Sequence, residues 1–185
     1  VWHLEVEDLL VLKNNRGTED NRVRHMDYGV QFNKLMYERL LNGENITLFS
    51  PKDVPGLYNA FFQDQGVFKE LYEKAERMTS IKKKSIPAIE LFSSFVTERK
   101  DTGRIYLMNV DHANTHGAFI EAEAPIRQSN LCCEIDLPTK PLNSIDDEEG
   151  EISLCTLSAV NWGVIKTPEQ MHKITNLAVR ALDEL

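Results

Sequence analysis

Three polar residues with alternate spacing could carry chemistry in this sequence. Asn130, Cys132 and Glu134 lie within residues 129–135, each separated from the next by one residue. If this stretch is extended, its side chains alternate between two faces, so the amide, the thiol and the carboxylate share one face. The intervening Leu131 and Cys133 then lie on the opposite, more apolar face.

Such a trio could act on a sugar. An amide can bond hydroxyl groups, a sulfur centre can exchange hydrogen with carbon, and a carboxylate can accept a hydroxyl proton. The same pattern also fits a small buried cysteine beside a surface glutamate, with no chemical role. Spacing alone leaves both interpretations open.

The chain contains three cysteines, Cys132, Cys133 and Cys155. They do not form the disulfide framework of a small secreted protein, and no Cys-x-x-Cys pair suggests a zinc site. A reducing compartment is therefore expected. A disulfide between the adjacent Cys132 and Cys133 would be strained, so we interpret Cys133 as a small hydrophobic residue that faces the core.

Other combinations of reactive residues are weaker. Asp111, His112 and His116 could suggest a metal site, but a strand or loop does not bring them together reliably, so no metal is predicted. A hydrolase that uses Cys132 with a histidine is a further alternative. It is disfavoured because no cysteine and histidine occur in a setting typical of such enzymes.

Composition excludes several classes of protein. The 185 residues carry a formal net charge of −8, so no nucleic-acid partner is expected, because such binding depends on Lys and Arg. The basic run at 82–84 is interpreted as a solvated helix edge or linker. No run of roughly 18 to 20 apolar residues could cross a bilayer, and no secretory signal opens the chain, so a soluble, cytoplasmic protein is expected.

The elements that must position the trio alternate between helices and strands. Helical patterns cover residues 1–14, 34–42, 54–99 with interruptions, and 168 to the end, whereas strands are predicted at 24–32, 46–49, 105–110, 130–137 and 152–160. This alternation predicts an α/β architecture with some parallel pairing.

Two helix ends carry specific signals. Gly43 follows the second helix and can adopt the left-handed conformation that ends helices. Thr167 is a suitable N-cap for the last helix, with Pro168 at its first position and Gln170 completing a capping box.

Several longer motifs resemble one family in a single register. They are RQSNLCCEI at 127–135, LPTKPLN at 137–143, LCTLSA at 154–159, WHLEVE at 2–7, LKNN at 12–15 and RHMDYGV at 24–30. In this order they resemble the large, catalytic subunits of class I ribonucleotide reductases, of the enterobacterial and phage type. The resemblance extends over essentially the whole chain.

The resemblance implies a fold and an extent. The family's ten-stranded α/β barrel implies that residues 1–185 form one segment of the catalytic barrel domain, with the Cys132 motif near the loop that enters the barrel. The first helical pattern begins without a cap and the last stops without one, so we expect both ends to be cut. The amino-terminal ATP-binding domain and the carboxyl-terminal region then lie outside this chain.

The resemblance also implies residue roles. Cys132 matches the cysteine that becomes a thiyl radical and removes the 3′ hydrogen of a ribonucleotide. Glu134 matches the carboxylate that takes the 3′-hydroxyl proton, and Asn130 matches an amide that hydrogen-bonds the substrate. Cys155 matches one member of the dithiol pair that supplies reducing equivalents, the other member of which is expected upstream of Val1.

Partners follow from the same resemblance. The implied substrate is a ribonucleoside diphosphate, and the implied reductant is thioredoxin or glutaredoxin. A metal-radical cofactor is expected in a partner small (beta) subunit and ATP or dNTP effectors in regions absent here, with no cofactor held by this segment. The large subunit is expected to form a homodimer, and the segment alone to be inactive. The alternative is a non-catalytic assembly piece of a split subunit.

Overall fold

Two parallel strands lie next to the candidate residues. The computed structural model of the chain describes residues 1–14 and 18–184. Strand β1 (Tyr28–Phe32) pairs in parallel with β4 (Ile105–Asn109). The side chains of Tyr28, Val30 and Phe32 alternate into the core. The prediction of parallel pairing in an α/β architecture is therefore confirmed.

A second pair of strands is antiparallel, and only the first of its two strands was predicted. Strand β2 (Asn45–Phe49) pairs with β3 (Lys83–Pro87), with Ile46 opposite Ile86. The sequence pattern placed β3 within a helical stretch, which is wrong. The backbone of β3 pairs with a strand far away in sequence, and this tertiary pairing overrides local propensity.

Seven α-helices are assigned among the described residues. They are α1 (Val6–Leu10), α2 (Lys34–Leu41), α3 (Leu57–Gln63), α4 (Gln65–Arg77), α5 (Ala88–Thr102), α6 (Val110–Thr115) and α7 (Pro168–Asp183). Gly43 follows α2 with a φ of 67°, as predicted.

The first helix is much shorter than its pattern suggested. Residues 2–4 run beside the end of β2, where the Leu4 amide donates to the Phe49 carbonyl at 2.9 Å and the Phe49 amide donates to the Trp2 carbonyl at 2.9 Å. The Trp2 ring is buried against Phe61 and Phe68. Burial of this ring and pairing with β2 hold the segment extended, so the prediction of a helix from residue 1 is wrong.

The hydrophobic core is rich in aromatic side chains. Phe32 packs edge-to-face on Phe95, and Phe49 packs edge-to-face on Tyr72. Phe68 is also fully buried. These aromatic side chains therefore serve in packing.

Two lysines of the basic run contact other parts of the chain. Lys83 donates to the carbonyl oxygens of Glu76 and Met78, and Lys84 pairs with Glu7. Both lysines are exposed, as expected, but they lie in β3 and not on a helix edge or in a linker.

The chain divides into two compact units, Val1–Glu151 and Ile152–Leu185. The second contains α7, and its N-cap Thr167 accepts from the Gln170 amide at 3.3 Å, as predicted. The Gln170 side chain accepts from the Lys166 amide at 2.9 Å, one residue before the cap. The strand predicted at 152–160 forms no ladder with any described residue, so that prediction is wrong, and Ile152, Leu154 and Leu157 are exposed.

No described helix combines the length and apolar character that spanning a membrane requires.

Candidate active site

The segment that carries the candidate residues forms a tight turn. Ser129 and Asp136 are joined by an antiparallel bridge. Inside it, the Cys133 amide donates to the Asn130 carbonyl at 3.1 Å, and the Asn130 amide donates to the Ile135 carbonyl at 3.3 Å. The prediction that residues 130–137 are extended is therefore wrong. We call residues 129–136 the cysteine turn.

The Asn130 carboxamide holds the cysteine turn together. Its Oδ1 accepts from the backbone amides of Glu134 at 3.2 Å and Ile135 at 3.1 Å. Its Nδ2 donates to Glu134 Oε1 at 2.7 Å. Asparagine commonly stabilises turns in this way, because its short side chain competes with regular backbone pairing. The structure thus brings Asn130 and Glu134 together by a turn instead of by strand alternation.

Cys133 adopts the left-handed conformation, with a φ of 62°, which is uncommon for a residue other than glycine. Its side chain packs against the core beside Gly29, where an alanine methyl group would lie 3.8 Å from the Cys133 Sγ. Burial raises the pKa of the Cys133 thiol, and the nearby Asp136 carboxylate adds to the effect. The expectation that Cys133 faces the core is confirmed.

The other candidate residues are open to solvent in this chain. Cys132 is exposed near the tip of the turn, two residues from both Asn130 and Glu134, and Glu134 is exposed as well. Cys155 lies in the second unit, where it is exposed and is a free thiol. The expected setting of Cys132, inside a barrel, is not formed by these residues alone.

A cavity of about 800 Å³ lies beside the turn. Apolar side chains, among them Trp2, Val30 and Phe61, line much of it. The cysteine turn contributes Ser129, Asn130, Leu131 and Cys133 to the wall, whereas Cys132 and Glu134 are not among its lining residues.

Two carboxamides that sequence reasoning did not single out hold the backbone just before the turn. Asn114, which is buried in α6, accepts from the Ile126 amide at 2.7 Å and donates to the Ile126 carbonyl at 2.9 Å. Gln31 of β1 donates to the Arg127 carbonyl at 2.7 Å. No local signal identifies either residue, because the partners are 12 and 96 positions away.

The weaker metal candidates have local roles. Asp111 Oδ2 accepts from the Lys34 amide at the start of α2, at 2.7 Å. The rings of His112 and His116 pack edge-to-face with centroids 5.0 Å apart, and His116 Nδ1 lies 2.8 Å from Thr115 Oγ1. Their carboxylate and imidazole groups are thus engaged in capping and packing contacts.

Comparisons with known proteins identify the family. The model of the ribonucleotide reductase barrel domain matches residues 1–185. The ribonucleoside-diphosphate reductase subunit alpha of Haemophilus influenzae is 63% identical over 185 residues, which are 100% of this chain and 24% of that protein. The ribonucleoside-diphosphate reductase subunit alpha of phage T4 is 52% identical over 191 residues, which cover 100% of this chain and 24% of that protein. The ribonucleoside-diphosphate reductase 1 subunit alpha of Escherichia coli K12 is 70% identical over 143 residues, which cover 77% of this chain and 19% of that protein.

These matches agree with the family that the motifs in the sequence indicate. The chain spans about a quarter of the length of the Haemophilus influenzae and phage T4 relatives. Because the family model covers all 185 residues, the chain belongs to the ribonucleotide reductase barrel-domain family and has the mixed α/β structure of part of such a barrel.

Proposed function

We propose that this chain supplies the catalytic turn of a ribonucleoside-diphosphate reductase, which reduces ribonucleotides to deoxyribonucleotides for DNA synthesis. The observation that carries the proposal is the 2.7 Å hydrogen bond between Asn130 Nδ2 and Glu134 Oε1, across a turn with Cys132 near its tip. An amide, a thiol and a carboxylate are thereby grouped on one short, hydrogen-bonded loop.

Each group has a distinct role in this proposal. The Cys132 thiyl radical removes the 3′ hydrogen of the substrate, so that an S–H bond forms as the C3′–H bond breaks. Glu134 accepts the proton of the 3′-hydroxyl, and the thiol pair that includes Cys155 donates a proton to the 2′-hydroxyl, which leaves as water when its bond to C2′ breaks. Asn130 binds the substrate while it orients Glu134. Cys155 supplies reducing equivalents as one thiol of a pair that ends as a disulfide.

The chemistry requires exclusion of water. Hydrogen exchange between a thiyl radical and a ribose carbon has little net driving force, so the step is reversible and the radical must be protected. Cys132 and Glu134 are exposed in this chain, and we propose that further barrel segments enclose them. Desolvation would then raise the basicity of the carboxylate.

The proposed assembly contains several further partners. They are a small (beta) subunit that holds the metal-radical cofactor, thioredoxin or glutaredoxin as reductant, and a second large subunit. Residues 1–185 would form one segment of the catalytic barrel, with ATP and dNTP effectors bound in other regions of a cytoplasmic enzyme. No metal or cofactor is assigned to this segment.

The test uses a chimeric α subunit, in which this chain replaces the corresponding 185 residues of the Haemophilus influenzae relative. Reconstituted with its small subunit, the chimera should form deoxyribonucleotides from ribonucleoside diphosphates. The Cys132→Ser variant should form none, whereas Cys133→Ala, which changes the adjacent core-facing thiol, should retain most of the turnover. Retained turnover in Cys132→Ser would refute the proposal.

A second candidate is an assembly piece of a split large subunit. It is favoured by the many exposed apolar side chains of the second unit, among them Leu154, Leu157 and Leu177, because such surfaces usually mark contacts with other chains. Turnover that appears only when this chain is mixed with separately produced complementary pieces of the relative would support this candidate.

A further inference from the structure

The cysteine turn is reached through a stretch with no regular structure. Residues 125–128 belong to neither a helix nor a strand. Even so, Ile126 is 1% exposed and lies within the core. A buried backbone must have its polar groups satisfied, so the partners of this stretch determine where the turn begins.

Side-chain amides provide those partners. Asn114 satisfies both backbone groups of Ile126, at 2.7 and 2.9 Å, much as a neighbouring strand would. Gln31 holds the next carbonyl, that of Arg127, at 2.7 Å. The stretch is thereby attached to α6 on one side and to β1 on the other.

Asn114 is itself rigidly placed. It is 5% exposed, and its Nδ2 also donates to the Val110 carbonyl at 2.8 Å, one turn earlier in α6. Its carboxamide therefore connects the helix backbone directly to Ile126, four residues before Asn130. Asn114 is not among the residues that line the cavity and lies outside the cysteine turn.

We propose that Asn114 is a positioning residue of the reductase, which sets the place of the Cys132 and Glu134 groups by fixing the backbone at Ile126. This inference rests on the proposed function. Small displacements of reacting groups are costly, and a shift of about 1 Å can reduce a rate on the order of 100-fold.

The test compares two buried polar residues in the chimeric α subunit. Asn114→Leu removes the hold on Ile126 at nearly constant volume. Thr47→Val is the matched control, because Thr47 is similarly buried at 6% exposure and loses a hydrogen bond to Glu76 outside the cysteine turn. Asn114→Asp keeps the shape and the acceptor for the Ile126 amide, and provides a milder variant should Asn114→Leu fold poorly.

Enzyme kinetics, with the isotope effect, and amide exchange are measured on each variant. Asn114→Leu should lower kcat by about 10- to 100-fold with KM little changed, and should increase the kinetic isotope effect of a 3′-deuterated substrate, because hydrogen removal becomes slower. Amide exchange of Glu134 and Ile135 should accelerate at the same time. The kinetic and exchange values of Asn114→Asp should lie between those of Asn114→Leu and those of the parent chimera. Thr47→Val should change neither the kinetics nor the exchange.

The outcomes separate this inference from the proposed function. A parent chimera without turnover would refute the proposed function, yet accelerated exchange in the turn of Asn114→Leu would still support the positioning role. Exchange and isotope effect in Asn114→Leu and Asn114→Asp that match those of Thr47→Val would overturn the inference.

Discussion

At the scale of residues, the Asn130 carboxamide determines the shape of the cysteine turn. It accepts hydrogen bonds from two backbone amides and donates one to Glu134 Oε1. The amide thus acts on the backbone and on the proposed base at once. This hydrogen bond orients the carboxylate, and orientation of a reacting group favours the reaction.

The Glu134→Gln variant should therefore keep the position of this side chain while it removes its basicity. The glutamine oxygen can still accept from Asn130 Nδ2, but the side chain can no longer take a proton, so turnover of the chimeric α subunit should fall by about 10² to 10⁴. Deoxyribonucleotide formation is the measurement. Glu123→Gln, an exposed glutamate outside the turn, is the control, and equal rates for the two variants would contradict the assignment.

Cys133 offers a prediction about pH. Because burial raises the pKa of this thiol, it remains protonated at pH values where an ordinary thiol is partly ionised. The rate of its alkylation by iodoacetamide should therefore reach half of its maximum above roughly pH 8.5, the usual value for cysteine. Peptide mapping across pH 6.5–10.5, with a short cysteine peptide as reference, measures this midpoint, and a midpoint at or below the reference would refute the prediction.

At the scale of elements, local signals and distant partners differ in what they reveal. Helices α2 and α7 were predictable, because Gly43 and Thr167 mark their ends locally. Strand β3 and the cysteine turn were not. Strand β3 depends on pairing with β2, and the turn depends on hydrogen bonds that the Asn130 side chain accepts from the backbone. The candidate residues could thus be identified from the sequence, whereas their geometry could not.

The contact between α2 and α4 allows a prediction of stability. Arg39, which is 8% exposed, makes two hydrogen bonds to the Glu76 carboxylate, at 2.7 and 2.6 Å. Glu76→Gln removes the nearer of the two carboxylates beside this buried guanidinium, since Glu44 remains 3.6 Å from Arg39 Nε, so it should lower the local opening free energy by about 2 to 3 kcal/mol. Hydrogen exchange of the α2 and α4 peptides in the chimeric α subunit measures this change.

The same two helices supply the control. Lys69 and Glu38 form an exposed pair with N and O atoms 3.5 Å apart, and Lys69→Gln should change the opening free energy by about 1 kcal/mol at most. If Glu76→Gln has no larger effect than Lys69→Gln, burial does not strengthen the Arg39 pair.

At the scale of the whole molecule, the groups proposed for catalysis and the last helix are both exposed, and both need to be covered. Cys132 and Glu134 face solvent, and α7 has no buried residue. A reductase needs the first two groups to be dry, and an amphipathic helix needs a surface to cover its apolar side. Both requirements would be met by further segments of the same barrel.

The chain alone should consequently bind no substrate productively and form no deoxyribonucleotide, even with the small subunit and reductant present. Water has access to Cys132, and neither Cys132 nor Cys133 is expected to serve as the second thiol for Cys155. The chimeric α subunit should turn over under the same conditions. Product formation in parallel assays of the two proteins is the measurement. Turnover by the chain alone would show that exclusion of water by further barrel segments is unnecessary, which would remove the physical basis of the proposed assembly.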